Sequence, residues 1–87
     1  MKTFVLKGAD VMGREDLYRK LAEGLDFPEW YGGNLDALYD CLTDLEETTI
    51  RITDRRELEI TLGDYVNKVF RVLRDAAAEN DRLRIEF

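Results

Sequence analysis

Three short segments with β-strand character, Lys2 to Leu6, Thr48 to Thr53 and Arg82 to Phe87, are held apart by long stretches whose apolar residues recur at helical spacing. Strands separated by helical crossovers return parallel to one another through right-handed connections. The order β-α-α-β-α-α-β is therefore predicted: an α/β fold with a small parallel three-stranded sheet packed with about four helices.

The local signals are consistent with that order. Lys-Thr-Phe-Val-Leu is β-branched and aromatic, and a turn at Gly8 follows it. Gly13 opens a helix with Glu15 and Asp16 in its first turn, where the helix dipole favours anions, and Leu17, Leu21 and Leu25 on one face. Gly24 is expected at its C-terminal cap. Phe27 to Gly33 combines proline and paired glycines with aromatics, which predicts an ordered loop. Asn34 is a good N-cap for a second helix from Leu35 to about Leu45, with Leu35, Leu38, Cys41, Leu42 and Leu45 on its inner side. Cys41 is thus expected to be a core residue.

Asp54-Arg55-Arg56-Glu57 reads as a capping box opening a short third helix that stops at Gly63. A longer helix from Asp64 to about Asn80 would bury Tyr65, Val69, Val72, Leu73 and Ala76. Arg82-Leu83-Arg84-Ile85-Glu86-Phe87 alternates charge and hydrophobe, as a half-buried last strand does.

At 87 residues the chain is expected to form one domain, 1–87. One Cys and no His leave no internal disulfide, no zinc constellation and no histidine acid or base. No signal peptide is read at Met1, nor an apolar run long enough to span a bilayer, so a cytoplasmic protein is expected.

Charge is unevenly placed. No Lys or Arg occurs between Lys20 and Arg51, a window holding Glu23, Asp26, Glu29, Asp36, Asp40, Asp44, Glu46 and Glu47. With a net charge of -6 overall, the rest of the chain is slightly cationic. Such a field repels nucleic acid and attracts a basic partner. On the second helix Asp36 and Asp40 stand four apart, with Thr43 near the same line and Asp44 a turn further, opposite the leucines. Like charges at this spacing cost a helix a few tenths of a kcal/mol, roughly, and only Asp36 is near enough to the N-terminus for the dipole to offset it. A locally unfavourable choice points mildly toward function, the alternative being an ordinary solvated face. Trp30 and Tyr31 precede that helix beside Gly32 and Gly33, and either plug the loop or form an exposed anchor; Tyr39 could extend the same surface.

Enzyme activity is not expected: adjacent exposed carboxylates on one helix do not flank a pocket, and a domain this small has little room for one of about 300 Å³. No cofactor, metal or small-molecule substrate is implied; the Asp-x-Asp-x-Asp-Gly calcium loop is missing. The cations Lys68, Arg71, Arg74, Arg82 and Arg84 are too interspersed with acids for a nucleic-acid footprint.

The run Phe27-Pro28-Glu29-Trp30-Tyr31-Gly32-Gly33-Asn34-Leu35-Asp36-Ala37-Leu38-Tyr39-Asp40-Cys41-Leu42-Thr43 resembles the barstar family of ribonuclease inhibitors, strongly here and weakly over the whole chain. The resemblance implies a stoichiometric inhibitor, or an immunity protein, that plugs the active site of a basic, guanyl-specific, barnase-like ribonuclease, extracellular or a toxin. By that resemblance Asp40 stands in for a substrate phosphate and Asp36 reaches the guanine-recognition side. Trp30 and Tyr31 would pack on the catalytic rim, and Gly32, Asn34, Tyr39, Thr43 and Asp44 would complete the contact, with Asp75 and Glu79 contributed by the last long helix. Departures from the family pattern occur at Trp30, Tyr39, Asp44 and Leu45, and where Thr48 and Thr49 stand near an expected proline. They bear on which nuclease is bound more than on the mode of binding. The rival reading is an acidic adaptor of the same fold that binds another basic protein without inhibiting a nuclease.

Overall fold

The computed structural model describes residues 2–28 and 32–87. Strand β1 (Lys2–Lys7) leads through a 3-10 turn at Gly8–Asp10 into helix α1 (Arg14–Leu25), and α2 (Leu35–Thr43) precedes strand β2 (Thr48–Thr53). Helices α3 (Arg55–Leu62) and α4 (Tyr65–Glu79) then lead to strand β3 (Leu83–Glu86). The sheet is parallel with order β1-β2-β3, as the strand and helix alternation requires. Phe4 is paired with Ile50, and Ile50 with Ile85. Leu6, Ile50, Ile52 and Leu83 are buried on one face while Val5, Arg51 and Arg84 are exposed on the other, so the helices cover a single face. On the open face Arg51 Nε donates to Glu86 Oε1 at 2.8 Å, across a directly paired position.

The core joins Leu17, Leu21 and Leu25 of α1, Leu38 and Leu42 of α2, and Val69, Leu73 and Ala76 of α4 with the buried strand residues. α4 also buries Val66 and Phe70, while Tyr65 and Val72 are only partly buried. Its inner arc is turned toward Val66 and Phe70 because α3 packs Leu58 and Leu62 beside it, a neighbour that periodicity in α4 alone cannot reveal. Phe87 meets Phe70 edge-on, ring centroids 5.2 Å apart, and carries the Arg74 guanidinium 4.7 Å above its ring.

Three expected helix ends come out differently. Gly24 lies inside α1, and the left-handed cap is Asp26 (φ 55°), whose N–H bonds Ala22 O. Gly24 is needed for approach: a Cβ there would run into the Phe4 ring, which would have to shift from its place against the helix. The capping box at α3 does not form, since Asp54 adopts a left-handed conformation (φ 53°) to turn from β2 into the helix and its carboxylate makes no cap bond. α2 stops at Thr43, two residues before Leu45.

At α1 the acids of the first turn do more than meet the dipole. Gly13, the N-cap, has no side chain to offer, and Asp16 reaches back to accept Met12 N–H at 2.9 Å. Lys20 Nζ pairs with the same carboxylate at 3.0 Å, and Arg19 contacts it as well. The Met12 bond first, then the Lys20 and Arg19 bonds, hold its pKa at about 2 against the usual 3.8. A carboxylate with a depressed folded-state pKa stabilises the fold above its unfolded value and loses that contribution as pH falls through the folded one. Asp16→Asn is therefore expected to lower the melting temperature at neutral pH. Between about pH 4 and 2 its acid destabilisation should be shallower than wild type, since the variant has no such proton to take up. Parallel melting-temperature curves across that window would refute the assignment.

Candidate protein-docking face

α2 is fixed in space by its inner side. Asn34 caps it, its Oδ1 accepting Ala37 N–H at 2.8 Å, and Leu38 and Leu42 are fully buried against the core. Cys41 is buried too, as its helical position predicts. Burial pushes its thiol pKa up, and the carboxylates of Asp40 and Asp44 add to the effect. The apolar stripe on one side forces the opposite side outward: Asp36, Asp40 and Asp44 are all exposed. Thr43, half-buried, turns its hydroxyl back to donate to Asp40 O at 2.9 Å. Tyr39 lies half-buried at the margin of this face, packed against the core.

Of the remaining expected site residues, Gly32 and Asn34 are exposed beside the start of α2, and Asp75 and Glu79 are exposed one turn apart on α4. Asn80, next to Glu79, touches the end of α2, which brings the C-terminal end of α4 beside it. Trp30 and Tyr31 lie outside the described residues. Among the described site residues, Gly32, Asn34, Asp36, Asp40, Asp44, Asp75 and Glu79 are exposed, and Tyr39 and Thr43 are half-buried.

The charges on this face are left unneutralised. Glu23 is paired with Arg19, and Asp26 with Lys2, each at 3.0 Å. Asp36, Asp40, Asp44, Asp75 and Glu79 form no ion pair among the described residues. Asp44 also borders an open furrow of about 780 Å³ at the N-terminal ends of the strands, lined by Leu45, Glu46, Glu47, Thr48, Lys2 and Arg82. So open a surface hollow is larger than the length of the chain leads one to expect. Among the described residues no cluster of acids, Cys or His is arranged to hold a metal ion, and no helix is long and apolar enough to cross a membrane.

Sequence reasoning missed Asn80, which it took only as the end of a helix. A single Asn after Ala-Ala-Ala-Glu has no periodic signature; its importance appears only with its partners on α2.

Fold and surface together define a small α/β protein with an exposed anionic helix face over a leucine-rich base. The family model described as Barstar (barnase inhibitor) matches residues 1–87. A Bacillus subtilis (strain 168) protein named "Putative ribonuclease inhibitor YrdF" is 37% identical over 81 residues, spanning 91% of this chain and 89% of that protein. The chain belongs to the barstar family.

Proposed function

We propose that this chain is a stoichiometric, non-enzymatic inhibitor of a barnase-like, guanyl-specific ribonuclease, acting in the cytoplasm by seating α2 and the loop before it in the nuclease's cationic cleft. The observation that carries the reading is the set of exposed carboxylates on α2, Asp36, Asp40 and Asp44, which form no ion pair among the described residues. Within one molecule they repel each other, and only an external positive surface turns that cost into binding energy. Family membership and the name of the Bacillus subtilis relative support the same reading. In it Asp40 takes the place of a substrate phosphate and Asp36 the guanine-side contact. Trp30, Tyr31, Gly32, Asn34, Tyr39, Thr43 and Asp44 surround them, and Asp75 and Glu79 close the rim.

The test is direct: mix the purified protein with a panel of barnase-like ribonucleases and follow RNA cleavage. Complete inhibition at equimolar protein by at least one pairing is expected. No inhibition at micromolar protein across the panel would favour the adaptor reading. For the pairing that inhibits, the association rate is expected to fall steeply with added salt, because the steering field is screened beyond about 10 Å at 0.1 M. A rate flat in salt would remove the carboxylates from the encounter.

A further inference from the structure

α2 ends without the usual devices. No glycine follows Thr43, and Asp44 stays right-handed (φ -95°, ψ -5°). The chain tightens instead, with Asp44 N–H to Cys41 O and Leu45 N–H to Leu42 O, both at 3.3 Å, beyond the usual range. A helix end leaves carbonyls in need of donors, and here a different element supplies one. Asn80, immediately after α4, is 5% exposed. Its side-chain amide donates to Leu42 O at 3.1 Å and to Leu45 O at 2.9 Å. Its side-chain oxygen accepts Arg82 N–H at 3.1 Å, and its backbone N–H bonds Ala76 O at 2.8 Å.

We infer that Asn80 is a positioning residue for the docking face, a clamp that joins the C-terminal end of α2 to that of α4 so that Asp40, Thr43 and Asp44 are presented together with Glu79 as one rigid surface. Its chemistry suits the task. A carboxamide has two donor hydrogens for two carbonyls and an oxygen for one N–H; aspartate lacks the donors and leucine lacks both. Because Asn80 and Leu42 are both buried, the clamp sets where the acids stand without using exposed surface. Its consequence for binding rests on the inhibitor reading; its geometric role does not.

The experiment has two arms. In the first, spin labels are placed at Asp44→Cys, at the C-terminal end of α2, and Asn67→Cys, near the start of α4, and the distance distribution is measured by pulsed electron paramagnetic resonance. Cys41, 4% exposed, stays out of reach of the label. Asn80→Ala is expected to broaden this distribution, while a control pair at Asn67→Cys and Ala78→Cys, both within α4, keeps its width. Asn80→Asp, of the same size without the donors, is expected to broaden it too. Asn80→Ser, with a single donor, should fall between and serves if the others fold poorly. In the second arm the unlabelled Asn80→Ala protein is titrated against barnase, with affinity expected to fall about tenfold, the scale of one or two net hydrogen bonds. An unchanged width in the folded variants, even with a lowered melting temperature, overturns the clamp and leaves Asn80 a stabilising residue only. A wild-type chain that does not bind barnase counts against the inhibitor reading for that nuclease, and the first arm still decides the clamp.

Discussion

Asp40→Ala is expected to weaken the complex with the cognate ribonuclease by about 2–5 kcal/mol, the cost of truncating one side of a buried, hydrogen-bonded charge pair, a range to which barstar complexes themselves contributed. The size follows from where the proposed contact lies. Asp40 occupies the middle of α2, between Asp36 and Asp44, so its partner cations would be buried deepest and, on its removal, left unpaired. The free protein should not suffer. The side chain is exposed and forms no ion pair among the described residues, and alanine relieves the like-charge repulsion from Asp36 and Asp44. Stability is therefore expected to stay within about 0.5 kcal/mol of wild type, slightly on the favourable side. Titration calorimetry and a urea melt decide the two halves; a loss of affinity below about tenfold would sink the phosphate-mimic role.

Leu42→Ala should do the reverse, although it lies only two residues away. Leu42 has no exposed surface and belongs to the central cluster with Leu38, Leu73 and Ile50. Emptying such a site costs about 2–5 kcal/mol through lost transfer energy and the cavity left behind, a large part of the roughly 5–15 kcal/mol that holds a domain together. The backbone carbonyl that receives Asn80 is retained in the variant, so molecules that remain folded are expected to bind with little change in intrinsic affinity. A urea midpoint that corresponds to less than about 1 kcal/mol would mean that the base under the acidic face is loosely packed. Together the two substitutions separate what α2 does outward from what it does inward.

The acidic face was legible early because two independent signals coincide on one helix: leucines at a spacing that fixes the buried side, and aspartates at the same spacing on the other. Either alone describes an ordinary surface helix. The Phe27 to Thr43 run added family identity, which composition and periodicity do not contain, and the whole-chain family match agrees with it. What stayed hidden were contacts between elements distant in sequence. Glycine commonly ends helices, so Gly24 reads as a cap in the sequence, yet in the fold it leaves room for the Phe4 ring from β1. The neighbours of Asp54 spell a capping box, but at the entry from β2 its backbone is left-handed and its side chain makes no cap bond.

By itself, then, the sequence determined the order of strands and helices, the parallel sheet and the outward face of α2, because hydrophobic periodicity is a local property that burial must respect. Tertiary structure alone decided how that helix ends and what holds it. The Leu42 carbonyl has only a long local bond from Leu45 N–H, and folding brings the Asn80 amide to it and to the Leu45 carbonyl across more than thirty residues of chain.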